Sequence, residues 1–229
     1  MPSTRTPARQ ARAGREQWPS LGGGIPAQRR ALGAQGRNTV RKLLQAGLAE
    51  FDARGFHAVR VDDVVRRAQT SHGTFYLYFS NKEDLFKALL RDALREMKII
   101  TGEFPVVTRS QAGKAALRGW VQRYCDTHAG YAAVMRALSQ AEIVGEEFWG
   151  DGLQALFRLT EAITTGMTAA CHDDPPKPAE LTALACVMML ERVSYLLSTA
   201  VRLPREEMAG RISTIIYAAF HSAPAAGRP

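Results

Sequence analysis

Cysteine is scarce in this 229-residue chain, which contains only three thiols and no CxxC pair. The three residues, Cys125, Cys171 and Cys186, lie within apolar stretches of the sequence. An odd number of cysteines without ligand spacing argues against a disulfide framework and favours a reduced protein whose thiols fill small core positions. We therefore predict a cytoplasmic protein, with a redox-sensing thiol as the minor alternative.

Motifs of the common enzyme classes are also missing. The sequence has no GxSxG, no HExxH and no glycine-rich phosphate loop followed by Lys-Ser or Lys-Thr. The run Gly22–Gly24 precedes Ile-Pro rather than a helix start. The cluster His172-Asp173-Asp174 stands before a double proline, which is more typical of a solvated helix end than of a metal site. We predict no enzyme activity, no metal site and no cofactor.

Apolar runs of membrane-spanning length are interrupted by charge. The most apolar stretch, 181–201, carries Glu191-Arg192 at its centre, so it predicts a buried helix rather than a membrane span. Residues 1–36 contain no apolar segment of the kind found in secretory signals. No membrane association is therefore expected.

Acidic residues are few in the first part of the chain. Residues 1–95 hold 17 Lys and Arg against 8 Asp and Glu, a balance of +9, whereas residues 96–229 hold 13 against 14, a balance of −1. These two values add up to the net charge of +8. A basic head on a nearly neutral body is typical of a DNA-binding protein.

Residues 1–36 are rich in Ala, Gly, Pro and Arg and have no sustained apolar period, so we predict a disordered basic arm. This segment contains six arginines and a single acidic residue, Glu16. The arm is either a solvated tail, including a start assigned too far upstream, or a DNA contact along the backbone or in the minor groove.

The next segment has the apolar spacing of a helix-turn-helix. Leu43, Leu44, Leu48 and Phe51 predict an amphipathic helix from Thr39 to about Arg54, which Gly55 ends. A short second helix is expected over 61–67.

A turn at 68–70 then leads to a third helix, which Ser71 caps and which reaches residue 76 or 77. The third helix starts with small, hydrogen-bonding residues, which suit entry into the major groove of DNA.

These residues resemble the tetracycline-repressor (TetR) family of bacterial regulators. The matching elements are Phe51 to Phe56, Val61-Asp62-Asp63-Val64 and Ser71 to Leu85, an ungapped match of about 50 residues. The resemblance implies an all-α fold of about nine helices, with a three-helix helix-turn-helix head on a larger helical body.

We divide the chain accordingly into three parts. The disordered arm is 1–36, the DNA-binding domain is 37–86, and the effector-binding and dimerisation domain is 87–229.

Two positions depart from the family pattern. Val59-Arg60 stands where a hydroxyl residue usually caps the second helix, so we expect weaker capping and a phosphate contact from Arg60. His72 stands where lysine is frequent, and because histidine is mostly neutral at pH 7 it is expected to read a base edge or to make a pH-dependent contact.

We assign phosphate contacts to Tyr76, Tyr78 and Lys82, and we expect Thr74 to approach bases together with His72. The predicted DNA contacts are Arg60, Thr70, Ser71, His72, Gly73, Thr74, Tyr76, Tyr78 and Lys82.

The rest of the chain predicts helices only. A helix from Lys82 to about Thr101 would link head and body, as the resemblance implies. Helices at about 178–201 and 206–220 carry more apolar surface than one core needs, and the resemblance implies that they pair with their symmetry mates in a homodimer.

Apolar stripes on the middle helices are predicted to surround one effector cavity. The few nearby charges, Arg136 and Arg192, imply a mostly apolar ligand with at most one acidic or polar end. A filled core without a cavity is the alternative. The predicted ligand-binding residues are Leu117, Trp120, Val121, Tyr124, Tyr131, Met135, Leu138, Leu153 and Phe157.

Together these features predict a ligand-responsive, sequence-specific transcriptional regulator. It would be a repressor that binds a palindromic operator in double-stranded DNA as a dimer and is released by a mostly apolar small molecule. One alternative is an effector-independent regulator or an activator with a filled core. Another is an enzyme that uses the body pocket.

Overall fold

A computed structural model describes residues 33–138, 146–169, 178–199 and 204–221. Within these ranges the chain forms nine helices and no strand, which confirms the all-α prediction. The helices are α1 Ala34–Arg54, α2 Val61–Arg67, α3 His72–Tyr78, α4 Lys82–Gly102, α5 Gln111–Gly130, α6 Ala132–Leu138, α7 Glu146–Thr168, α8 Ala179–Thr199 and α9 Arg205–His221. No helix in the described ranges combines the length and the apolarity needed to cross a membrane.

Helix α1 begins at Ala34 rather than at Thr39. Its first turns are polar, and the Thr39 hydroxyl donates a hydrogen bond of 3.0 Å to the Gln35 carbonyl inside the helix. The apolar period starts only at Val40, so the earlier turns gave no amphipathic signal. The predicted arm therefore overlaps this helix at residues 34–36, and residues 1–32 lie outside the described part.

The first apolar core belongs to the head. It contains Leu43 and Phe51 of α1, Val64 of α2 and Phe75 of α3, each of which is almost completely buried. Phe51, Phe56 and Phe86 form an aromatic cluster with ring centroids 5.1–5.8 Å apart. This cluster fixes the start of α4 against the end of α1.

Two further elements complete the head core beyond the predicted boundary at residue 86. Leu89 and Leu90 of α4 are buried in it, and so are Ala133 and Val134 of α6. Met135 packs against both this core and the body core. Helix α6 therefore lies between head and body, and Arg136 forms an ion pair with Asp52 of α1 on its outer side.

The second core fills the body between α4, α5, α7, α8 and α9. Its members include Leu117, Trp120, Ile163, Val187 and Ile216, all fully buried. Close approach at Gly166 of α7 fixes the connection between α4 and α5. The Gly166 carbonyl accepts a 2.9 Å hydrogen bond from the Val107 N–H, and a Cβ there would lie 2.5 Å from the Pro105 carbonyl oxygen.

Candidate nucleic-acid interface

Helices α2 and α3 form a helix-turn-helix whose turn is fixed by backbone hydrogen bonds. The Ala68 N–H donates to the Val64 carbonyl at 2.8 Å, and the Thr70 N–H donates to the Val65 carbonyl at 3.0 Å. Gln69, between them, adopts a left-handed backbone with φ 52°. Ser71 caps α3 as predicted, because its Oγ accepts from the Thr74 N–H at 3.1 Å. The start of α3 is thereby fixed in direction.

Helix α3 presents one face to the core and one to solvent. Phe75 and Phe79 are buried, whereas Tyr76 is 51% exposed and His72 and Gly73 are exposed beside it. Thr74 and Thr70 are half-buried at the edge of this surface. We call the exposed residues of α3 the recognition face, and its amphipathic division agrees with the sequence pattern.

Tyr78 is more buried than a phosphate contact would suggest. It is only 7% exposed and belongs to the head core, where its ring supports α3 and also lines the groove beside α1. Tyr76 and Tyr78 are two residues apart, and in a helix with 3.6 residues per turn this separation places them on different faces.

His72 is joined to Asp62 of α2 by a hydrogen bond from its Nε2 atom. Both side chains are more than half exposed, so the pair lies on the outer surface of the head. The carboxylate orients the imidazole ring across the gap between α2 and α3. The His72 ring that is predicted to contact DNA is therefore already oriented by the Asp62 carboxylate.

The start of α2 has no hydroxyl cap. The Asp63 carboxylate accepts a 3.1 Å hydrogen bond from the Arg60 N–H, which joins the first turn of the helix to the residue before it. This backbone hydrogen bond, together with ion pairs to Arg54 and Arg66, holds the pKa of Asp63 below its ordinary value in spite of burial. The Arg60 side chain remains exposed, as a phosphate contact requires.

Lys82 occupies a structural position rather than an exposed one. Its ammonium group donates to the carbonyls of Phe56, His57 and Val59 at 3.0, 3.2 and 3.1 Å. It also lies 4.7 Å from the centroid of the Phe56 ring. All three N–H donors of the ammonium therefore have acceptors within the head, and the side chain fastens the α1–α2 connection to the start of α4.

A polar groove of about 470 Å³ runs between α1 and the turn of the helix-turn-helix. The sequence interpretation missed its α1 wall because that wall lies in the polar first turns. Lys42 gives the groove a positive charge beside the recognition face. The lining residues are Gln35, Gly36, Thr39, Lys42, Leu43, Ala68, Gln69, Thr70, Thr74 and Tyr78.

The eight predicted effector residues whose side chains the structure describes lie in different surroundings. Leu117, Trp120, Val121 and Tyr124 are fully buried in the body core, whereas Leu153 and Phe157 are exposed on the outer face of α7. The prediction joined them because apolar spacing identifies an apolar face but not the partner against which that face packs.

The other three predicted effector residues lie at or beside α6. Tyr131 and Met135 are half-buried at α6, and the side chain of Leu138 lies outside the described residues. Open grooves of about 570 Å³ between α5 and α9 and about 430 Å³ between α4 and α7 are lined by other residues.

A polar cluster of buried Tyr124 and His128 and half-buried Glu191 lies between α5 and α8 of the body. The Tyr124 hydroxyl donates to Oε1 of Glu191, and Nε2 of His128 lies 3.6 Å from Oε2 of the same carboxylate. Burial raises the pKa of Glu191, but the hydrogen bonds from His128 and Tyr124 outweigh it and hold this pKa below its ordinary value. Burial and the neighbouring Glu191 charge raise the pKa of Tyr124. At neutral pH the cluster therefore combines a carboxylate with a protonated tyrosine.

An aromatic ladder leads to this cluster along α5. The ring of Phe104 lies 4.7 Å from Trp120, Trp120 lies 5.3 Å from Tyr124, and Tyr124 lies 6.4 Å from His128. The Trp120 Nε1–H donates a 2.8 Å hydrogen bond to the Ile100 carbonyl of α4. The ladder therefore connects the helix that carries the head with the buried cluster.

Sequence and structure comparisons agree with this architecture. A family model for bacterial regulatory proteins of the tetR family matches residues 43–89, from α1 into α4. An uncharacterized HTH-type transcriptional regulator of Bacillus subtilis, YdgC, is 35% identical over 68 residues, which cover 30% of this chain and 35% of that protein. The A-factor receptor protein of Streptomyces griseus is 23% identical over 131 residues, covering 56% and 45%. The chain thus matches less than half the length of either relative.

The whole helical arrangement has a solved counterpart. The crystal structure of a bacterial regulatory protein in the tetR family from Rhodococcus RHA1 covers 81% of this chain and 98% of its own, with a TM-score of 0.63 at 17% identity. This similarity shows the common fold. The helix-turn-helix, the matching family model and the helical body together lead to one conclusion: the head of this chain, over residues 43–89, is a helix-turn-helix of the kind found in bacterial regulatory proteins of the tetR family, and its helical body has the fold of a solved tetR-family protein.

Proposed function

We propose that this cytoplasmic regulator is a repressor that binds a palindromic operator as a homodimer and leaves it when a small molecule binds the body. The observation that carries the proposal is the recognition face of α3, which is anchored by buried Phe75 and Phe79 and exposes His72, Gly73 and Tyr76. Residues 37–86 supply the DNA contacts, and residues 87–229 bind the effector and the second subunit.

Two kinds of DNA contact follow from this surface. His72 and Thr74, at the start of α3, approach base edges, since the first turn of a recognition helix enters the major groove. Gly73 and the Ser71 cap allow the backbone to come close, while Arg60, Thr70 and Tyr76 bind phosphates together with Lys42 of the adjacent groove. Tyr78 and Lys82 support this surface from within.

A dimer is supported by apolar residues left exposed on the last three helices. Leu181 and Met188 of α8 are 61% and 44% exposed, and Ile215 of α9 and Phe157 of α7 are more than half exposed. Side chains of this size on adjacent helices provide an apolar interface. A single head buries too little DNA for tight specific binding, and a two-fold dimer doubles the contacts and requires a palindromic site.

Effector binding is supported by the buried Tyr124–His128–Glu191 cluster, which places a charged group inside the body, and by the similarity to a protein named as a receptor. Occupation of this region would act on α4 through the Trp120 hydrogen bond to Ile100. Since α4 begins at the head, a displacement of its far end changes the spacing of two heads in a dimer.

The function is tested by selecting DNA fragments with the purified protein. We expect enrichment of one sequence with two inverted half-sites, a dimer in sedimentation at micromolar concentration, and lower expression of a reporter placed behind that operator. The combined change of His72 and Thr74 to Ala should alter the selected sequence, while Tyr76→Phe should weaken all sequences alike. The proposal fails if no sequence is enriched, and higher reporter expression would instead make the protein an activator.

The dimer has its own test. Met188→Glu places a charge in the proposed interface and should yield monomers, whereas Glu161→Gln on the exposed face of α7 should not. Sedimentation of Met188→Glu as an intact dimer would move the interface away from α8.

A further inference from the structure

Inside the body, one buried polar atom has no hydrogen-bond partner among the described residues. It is Nδ1 of His128, whose side chain is 2% exposed. The other ring nitrogen, Nε2, faces the Glu191 carboxylate at 3.6 Å. A buried polar group without a partner is costly, and in native proteins such an atom usually has a bound water or a ligand group as its partner.

The chemistry of the cluster defines which partner fits. When the ring carries one proton, on the Nε2 that faces the carboxylate, a lone pair remains on Nδ1. The proton of the Tyr124 hydroxyl is already donated to Glu191, so this hydroxyl offers no further donor. In that tautomer Nδ1 and the Glu191 carboxylate are both acceptors, and the carboxylate carries a negative charge.

We propose that the Tyr124–His128–Glu191 cluster binds the ammonium end of an amphipathic amine, and that this amine is the effector of the proposed function. An ammonium group provides N–H donors for the Glu191 carboxylate and for Nδ1 of His128, and its charge balances the carboxylate. The aromatic ladder beside the cluster offers ring faces that attract a cation. An acidic end, which the sequence pattern had allowed, would meet Glu191 with like charge.

Entry to the cluster is available at Glu191. The side chain of Glu191 is 36% exposed, whereas His128 and Tyr124 are closed off from solvent. The amine thus approaches the carboxylate first and reaches Nδ1 of His128 after it is partly desolvated. Val187 and Leu190 of α8 belong to the same buried core as Tyr124 and provide apolar surroundings for the rest of the ligand.

Calorimetric titration of the full-length protein with three probes of equal chain length tests this inference. Decylammonium, decanol and decanoate share the apolar chain and differ in the charge of the end group. We expect decylammonium to bind about tenfold or more tightly than the other two, which is the size of one charge-assisted interaction. Equal binding of the three probes, or binding of none, would overturn the inference.

Three variants locate the preference. Glu191→Gln keeps the shape of the side chain, removes its charge and should abolish the preference for the amine. Glu161→Gln, which changes an exposed carboxylate of α7, should keep it. His128→Phe retains a ring but lacks Nδ1, and should lower amine affinity without favouring decanoate. An unchanged amine preference in Glu191→Gln, or in His128→Phe if Glu191→Gln does not fold, would overturn the inference.

These titrations contain no DNA, so they separate the site from the proposed function. Selective amine binding that leaves operator binding unaltered would retain the site and refute release by this ligand. Operator release by a decanoate or decanol probe, without amine preference, would retain the proposed function and overturn the amine site.

Discussion

Replacing Lys82 by methionine separates a structural role from a DNA contact. The variant keeps most of the apolar stem and removes an ammonium that donates to three carbonyls at 3.0–3.2 Å. His57 is exposed, so water can replace the donor at its carbonyl, whereas Phe56 and Val59 are buried residues. Hydrogen bonds to charged groups contribute about 1.5–3 kcal/mol each, and allowing for rehydration we expect a total loss of about 2–3 kcal/mol.

The assay is thermal unfolding followed by circular dichroism. For a chain of this size a loss of 1 kcal/mol lowers Tm by about 2–4 °C, so Lys82→Met should unfold about 4–12 °C below the wild type. Lys98→Met, which removes an exposed lysine from the same helix, should unfold within about 2 °C of it. DNA affinity of the folded Lys82→Met protein should keep the salt dependence of the wild type. Unchanged stability, with a salt slope smaller by about one, would instead make Lys82 a phosphate contact and refute the structural role.

Four further predictions concern other parts of the molecule. Ser71→Ala removes the cap of α3 and should cost about 1 kcal/mol in urea unfolding, with Ser80→Ala as the control; a neutral effect would mean that the cap is dispensable. Trp120→Ala should cost about 3–5 kcal/mol, since its side chain is fully buried and hydrogen-bonded; a much smaller loss would indicate a pocket wall. Because the pKa of Glu191 is lowered, its ionised carboxylate stabilises the fold at pH values above the ordinary carboxyl pKa, and this stabilisation is lost as the pH falls through the lowered value. The urea midpoint of Glu191→Gln should therefore vary less with pH in the acid range than that of the wild type, and parallel pH profiles would refute this. Deleting residues 1–32, which hold six arginines, should weaken non-specific DNA binding more than specificity, and an unchanged salt dependence would support a solvated tail.

The sequence was informative where a local rule determines structure. Ser71 caps α3, Gly55 ends α1 with φ 77°, and the apolar spacing of Phe75 and Phe79 identifies their buried face. These features depend on residues within one or two turns of each other. The start of α1 was missed because polar turns carry no apolar period, although helical hydrogen bonds form there as well.

Contacts between residues far apart in the chain could not be predicted from the sequence pattern. Nothing near Lys82 in the chain indicates that it meets carbonyls more than 20 residues away, and nothing near Tyr124 indicates Glu191 on α8. Apolar stripes likewise showed which faces are apolar but not what covers them, so exposed Phe157 and buried Trp120 were assigned to one cavity. Contacts of this kind depend on the packing of whole helices.

The position of α6 affects how this protein can be recombined with others. Because Val134 fills the head core and Met135 contacts both cores, an isolated segment ending at residue 86 would expose an apolar surface that α6 normally covers. A chimaera joined at that point would place a foreign α6 against α1, without the Arg136–Asp52 ion pair. Exchanging DNA specificity between relatives is therefore better done by replacing the outward side chains of α3 than by transplanting a head, since the head and the sixth helix have to be inherited together.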